Sequence, residues 1–390
     1  MKQPAARSTA SGKRVAYLST YPPRECGIAT FTKDLLDAAD ALDDLKPSVV
    51  VALNEKETIY NYDRRVKWQV ERDSPDDYLQ AAHYINSVDV DLLNVQHEFG
   101  LFGGEYGDYV NCFLDSIRTP VVTTLHTVQP DFDPRAKAVL HHITATSASI
   151  VVIAHIAIDV LNTQGIGCEN VSVIPHGCPD IPFVSSGPVK DTLGLKDRFV
   201  LSTFGLISRS KGIEYVIRAL PSIIEKEPRL IYLVIGETHP EVRKTEGETY
   251  RRKLMRLVED LRLERHVRFH NRFLSRRELI RYLQATDVYL TPYISPNQIS
   301  SGTLVYALGT GRAVISTPYL HAQEALAGGR GLFCKFKNPG SITNCIEQLL
   351  GKKLRTTMQQ RAYKYSRRFV WSKVAKAYIR LFKRVIKRRR

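Results

Sequence analysis

FVLSTFGLISRSKGIEYVIRALPSIIE, Phe199 to Glu225, reads as strand, loop and helix. Phe199–Phe204 is an apolar run of strand length. From Ile213 to Glu225 apolar residues return at helical spacing. The loop between, FGLISRSKG from Phe204 to Gly212, carries Arg209 and Lys211 and no acid. A helix N-terminus presents unpaired N–H groups and a partial positive charge, so such a loop is a candidate grip for an anion. Downstream, NQISSGTLVYALGTG, Asn297 to Gly311, repeats the arrangement, with a helix expected from about Thr303 to Leu308. Two such segments suggest a site for the diphosphate of a nucleotide sugar.

The pattern extends in both directions. After Phe199–Glu225 come strands at Leu230–Ile235, Val267–Phe269, Val288–Leu290 and Ala313–Ser316, with helices at Tyr250–Leu261 and Arg276–Gln284 between them. Upstream, Val15–Leu18 is an apolar run ended by STYPPRECG, and helical spacing follows from Ile28 to Leu42. Further apolar runs stand at Val49–Leu53, Asp91–Val95, Val121–Leu125, Ile150–Ala154 and Val171–Ile174. Strands alternating with helices predict two α/β domains with doubly wound parallel sheets. The stretch Cys178–Lys196, rich in Pro, Gly and Ser, reads as the linker. Two such domains facing one another would leave a cleft. Ligands of these sheets gather beyond the carboxyl ends of the strands. His97, Glu98 and His126 fall just after strands, and Gly27 closes the loop that follows the first.

At 390 residues the chain suits two domains, and its 43% hydrophobic and 25% charged residues are those of a globular protein. No apolar run reaches the roughly 18 residues of a membrane span. The polar N-terminus lacks the apolar stretch of a secretory signal and reads as a disordered lead-in. Six scattered cysteines without a CxxC pair predict reduced thiols in a cytoplasmic protein. The net charge is +16, and Lys373–Arg390 holds nine Lys or Arg and no acid. Such a tail attracts anions of many kinds, lipid among them.

Several chemistries find no motif. There is no HExxH or cysteine cluster for a metal, no GxSxG elbow and no Walker lysine motif. In NVQHEFGLFGGEYGD, glycines stand among Phe99, Phe102 and Tyr106, a combination suited to packing on a sugar ring.

Taken in order, these segments resemble the retaining glycosyltransferases of family 4, among the glycosyl transferases group 1, over about Val15 to Phe382. The loop Pro22-Pro23…Cys26-Gly27 resembles that family's PP…GG loop, and VIPHG (Val173–Gly177) its VIPNG segment. FGLISRSKG resembles its phosphate loop, and ALGTGRAVIST (Ala307–Thr317) its AxxxGxPVI stretch. FVWSKVAKAYIRLF (Phe369–Phe382) resembles its last helices. The resemblance implies the GT-B fold, two facing Rossmann-like domains with a cleft between them. The expected divisions are a lead-in at 1–13, an acceptor-side domain at 14–182, a nucleotide-sugar domain at 183–365, and at 366–390 a helix crossing back to the first domain with a basic tail.

It implies further that His126, Arg209, Lys211 and Glu98 carry the chemistry. Gly27, Gly205, Gln298, Ser300, Ser301, Gly302, Thr303 and Tyr306 would hold the donor, with no metal and no cofactor beyond it. The donor is a hexose nucleotide, GDP-mannose by a small margin over UDP-glucose. The acceptor is a saccharide or lipid-linked sugar, as in polysaccharide biosynthesis. The basic tail would touch anionic lipid at the inner membrane face, and no nucleic-acid motif accompanies it. Two departures stand out. The family's paired glutamates are Gln298 and Tyr306 here, and the arginine usual after the first loop glycine is Leu206, with Arg209 three residues on. A sugar phosphorylase or epimerase on the same fold, a degenerate scaffold, and a nucleic-acid-binding protein stay open as alternatives.

Overall fold

Seven parallel strands make the first sheet: β1 (Val15–Ser19), β2 (Val49–Asn54), β3 (Val66–Glu71), β4 (Leu92–His97), β5 (Val121–Leu125), β6 (Ser149–Val152) and β7 (Val171–Val173). Six make the second: β8 (Phe199–Phe204), β9 (Leu230–Ile235), β10 (Val267–His270), β11 (Val288–Thr291), β12 (Ala313–Ser316) and β13 (Gly331–Phe333). The computed structural model describes residues 12–42 and 44–388. Most of the expected lead-in and the last two arginines of the tail therefore lie outside the described residues. Chain contacts divide the protein into two compact units, one running to Gly177 and resuming at Trp371, the other Cys178–Val370.

Strand order is β3-β2-β1-β4-β5-β6-β7 in one unit and β10-β9-β8-β11-β12-β13 in the other. Each has the Rossmann-type reversal, between β1 and β4 and between β8 and β11, where such sheets bind ligands. The runs β1, β4, β5, β8 and β9 are buried throughout, as parallel strands covered on both faces must be. In β9, Leu230, Tyr232 and Val234 enter one core layer, and Ile231, Leu233 and Ile235 enter the other. The two-residue period of a strand sends neighbours to opposite helix layers.

The structure corrects the sequence reading in places. The presumed linker Cys178–Lys196 contains a helix, Ser186–Asp191. Its Lys190 pairs with Asp287 at 2.5 Å, and Ser186 donates to the same carboxylate at 2.9 Å. These residues thus belong to the second unit. β3 was not foreseen because Val66, Trp68 and Val70 alternate with polar residues on a partly exposed strand and form no apolar run. The ALGTGRAVIST stretch is chiefly structural. Arg312, 1% exposed, donates to the carbonyls of Thr310, Gln284, Thr286 and Val184. Burial lowers its pKa to about 10. It satisfies backbone acceptors that would otherwise be stranded in the core.

Candidate functional site

In the second unit the two glycine-bearing segments come together at the switch point. β8 gives way to Gly205, whose φ is 125°. Gly236, leaving β9 at φ 132°, packs so closely that a Cβ would strike the Gly205 carbonyl. Side chains here would wedge the strand ends apart. A Cβ on Gly205 would reach 3.2 Å from the Thr303 methyl, so the first loop lies directly on the start of the second segment's helix.

That helix is Gly302–Gly309. Ser301 caps it, accepting from the Leu304 N–H at 3.3 Å. The first loop continues through a short 3-10 turn, Arg209–Lys211, to Gly212 at φ 62° and the helix Ile213–Ile224. A Cβ on Gly212 would collide with the Pro292 carbonyl. The Ile294 N–H donates to the Ser210 carbonyl at 3.1 Å. The segment leaving β11 is therefore laced to the first loop.

Lys211 donates to the Tyr293 hydroxyl at 2.9 Å, and Tyr293 bonds Thr303 Oγ1 at 2.8 Å. Burial would push the Tyr293 pKa up, but the Lys211 charge and hydrogen bonds from Lys211, Thr303 and Ser301 outweigh it and hold the phenol below its ordinary value. Tyr293 was absent from the sequence reading, since one tyrosine after a strand carries no periodic signal.

The other candidates fall as follows. Arg209, expected to carry chemistry beside Lys211, is paired with Glu246 at 3.0 Å and lies over the Tyr250 ring. Gln298 is exposed and donates to the Ser300 carbonyl at 2.7 Å. Tyr306 is 6% exposed and packs in the core near Phe204, so its ring is chiefly structural. A depression of about 630 Å³ between the helices Ile213–Ile224 and Thr249–Asp260 includes Arg218, Arg252 and Arg256. It is formed by helix faces and not by the loops at the strand ends, so it is no part of this site.

In the first unit the switch-point residues form a second group. Gly27 opens the helix Gly27–Asp40, and a Cβ there would meet nothing within 4 Å. Packing therefore does not require glycine at 27. His126 is buried, edge-on to Phe31 at 4.8 Å. A chain of buried amides fixes its proton. Asn94 Nδ2 donates to the Val122 carbonyl at 2.8 Å, so Asn94 Oδ1 accepts from Gln96 Nε2 at 2.5 Å. Gln96 Oε1 is left to accept from His126 Nε2 at 2.8 Å. The ring is thus the Nε2–H tautomer with an acceptor at Nδ1. Burial, aided by His176 and His97, pushes the His126 pKa down to about 3, so it is neutral.

The half-buried Glu98 accepts from Thr127 Oγ1. Burial raises its pKa against that bond and one from the Phe99 N–H. Beside it, Arg72, Asp73, Phe99, Phe102 and Tyr106 line a depression of about 320 Å³. Among the described residues no three His, Cys, Asp or Glu side chains converge to hold a metal ion, and no helix is long and apolar enough to cross a membrane.

Two Rossmann-like sheets with loops gathered at each switch point make this a GT-B protein. Sucrose-phosphate synthase of Thermosynechococcus elongatus shares the fold at a TM-score of 0.79 and 16% identity, covering 96% of this chain and 100% of that one. Anabaena HepE, solved with UDP and glucose, does so at 0.74 and 15%, covering 95% and 99%. Residues 189–369 match the family described as Glycosyl transferases group 1. An uncharacterized glycosyltransferase of Methanocaldococcus jannaschii is 25% identical over 197 residues, 49% of this chain and 46% of that relative. The alignment thus spans about half the length of the curated relative.

Proposed function

We propose that this chain is a retaining glycosyltransferase that moves a hexosyl group from a nucleoside diphosphate to a hydroxyl of a saccharide or lipid-linked acceptor. One observation carries the reading: at the switch point of the second sheet, Lys211 of one loop is bonded through Tyr293 to Thr303, in the first turn of the other segment's helix. A cation and a helix N-terminus so joined suit a diphosphate leaving group. The group 1 match over residues 189–369 supports this, as do relatives in fold solved with UDP and glucose.

As the bond from the sugar C1 to the phosphate oxygen breaks, negative charge builds on the diphosphate. Lys211 and the N–H groups at Gly302 and Thr303 stabilise that charge, each well-placed donor contributing roughly 3 kcal/mol. The acceptor oxygen bonds C1 from the face the leaving group departs, and its proton passes to the departing phosphate oxygen. Configuration is retained. His126 offers neutral Nδ1 to a donor hydroxyl. Glu98 and the Phe99–Tyr106 depression take the acceptor. Arg209, balanced by Glu246, contributes less than Lys211. Protein cations do the work a metal would otherwise do at the diphosphate. The exposed basic side of the last helix brings the enzyme to anionic lipid on the cytoplasmic face.

The test is a mass-spectrometric screen of GDP-mannose and UDP-glucose against saccharide and lipid-linked acceptors, in excess chelator. Nucleoside diphosphate should appear only when acceptor is present. Binding of a nucleotide sugar without turnover would favour a degenerate scaffold, the reading to which Tyr306 in the core lends weight. No binding at all would end the proposal.

A further inference from the structure

We propose that Tyr293 is a positioning residue whose hydroxyl holds the Lys211 ammonium in place and ties it to the helix that opens at Gly302. The inference rests on the nucleotide-sugar reading above and adds to it a residue that no motif marked.

The chemistry of the lysine fixes the direction of the first bond. A lysine ammonium only donates, so the Tyr293 oxygen accepts from Lys211 at 2.9 Å. The Tyr293 and Thr303 hydroxyls share a hydrogen bond at 2.8 Å. Thr303 lies 3.2 Å from Ser301 Oγ, which accepts the Leu304 N–H at the helix start. One chain of hydrogen bonds thus runs from the first loop's cation to the second segment's cap.

Tyr293 is itself held on every side. It is 4% exposed and stacks on Tyr319 with ring centroids 5.1 Å apart and planes 15° from parallel. Its carbonyl accepts from Thr317 at 2.6 Å. The Lys211 ammonium also lies 4.1 Å from the Tyr293 ring centroid. A lysine loses rotamer freedom when fixed. Here that ordering accompanies folding and not ligand binding, which is what preorganised charge stabilisation requires.

The experiment compares wild type, Tyr293→Phe, Lys211→Ala and the double variant. UDP and GDP binding is read by calorimetry, and donor turnover by initial rates. Phenylalanine keeps the stacking and the ring under the ammonium and removes only the hydroxyl. Turnover should fall about tenfold in Tyr293→Phe, with the donor KM changed less than about threefold, because the loss falls on the charged transition state. In the Lys211→Ala background the same change should cost less than about twofold, since Tyr293 acts through Lys211.

Wild-type turnover in Tyr293→Phe, or effects that multiply in the double variant, would overturn the inference while leaving the proposed function standing. A wild-type chain that binds neither nucleotide would overturn both. If Tyr293→Phe does not fold, Thr303→Val cuts the same chain one bond further on. Its loss should likewise vanish without Lys211, and a loss that persists there would count against the inference.

Discussion

Gly177 lies flat against the indole of Trp371, so close that a Cβ would overlap the ring carbons. The glycine that ends the VIPHG segment therefore serves packing. Trp371 opens the last helix, Trp371–Arg388, and stands edge-on to Phe31 at 5.2 Å. Phe31 in turn meets His126. Gly177→Ala should destabilise the first unit by about 1–3 kcal/mol, the usual cost of overpacking a filled site. The chain has two tryptophans, so Trp371 supplies a large share of the fluorescence that reports urea unfolding. An unchanged midpoint would mean the helix slides aside freely.

Gly212 tests the lacing of the two loops. Its φ of 62° disfavours any side chain, and a Cβ would press on the Pro292 carbonyl one residue before Tyr293. Gly212→Ala should weaken UDP or GDP binding by about tenfold while costing about 1–2 kcal/mol in stability. Calorimetry beside denaturant unfolding separates the two effects. Full nucleotide affinity would show that the loop tolerates a shift at Pro292.

Acid stability follows from three histidines of the first unit, His97 and His126 buried and His176 half-buried. Burial holds His97 and His126 near about 3 and His176 near about 4, against an ordinary value of 6.5. Below that ordinary value the unfolded chain takes up protons that the folded chain refuses, so stability falls as pH drops from about 6.5 towards those low values. Each such histidine adds a slope of up to about 1.4 kcal/mol per pH unit. His97 makes no hydrogen bond at either ring nitrogen and stacks on Phe102. His97→Leu should therefore flatten the slope near pH 5 by about one proton without stranding a partner. Urea midpoints across pH 4.5–6.5 check this, and an unaltered slope would mean His97 is charged when folded.

How far the fold could be read in advance depended on the kind of residue. The strands β1, β4, β5, β8 and β9 are buried on both faces and so appear as plain apolar runs. Glycines at 205 and 212 mark the first loop because its backbone needs positive φ there. Side-chain partners far along the chain were out of reach. Lys211 finds Tyr293 82 positions on, and Arg209 finds Glu246 37 positions on. No local spacing encodes either contact, so Glu246 was not foreseen beside Arg209 and Tyr293 went unmarked. Tyr306 shows the converse difficulty: its place in a motif suggests a ligand, while its ring packs in the core.

The last helix gives the membrane proposal a sharper test than removing the tail would. Val385 and Ile386 are buried, so cutting the chain at Lys383 would strip packing as well as charge. Lys376, Arg380, Lys387 and Arg388 lie on the exposed side of the same helix. Changing these four to Gln removes charge and spares the core. Each basic residue near an anionic bilayer is worth about 1 kcal/mol, so four charges should lower recovery in flotation with phosphatidylglycerol vesicles by at least about tenfold. Raising salt should weaken the wild type in the same direction, because the Debye length shrinks to about 3 Å at 1 M. Vesicles of neutral lipid should carry neither protein. Equal recovery of the two forms on anionic vesicles would leave the basic side as a solvated surface and remove lipid from the partners of this chain.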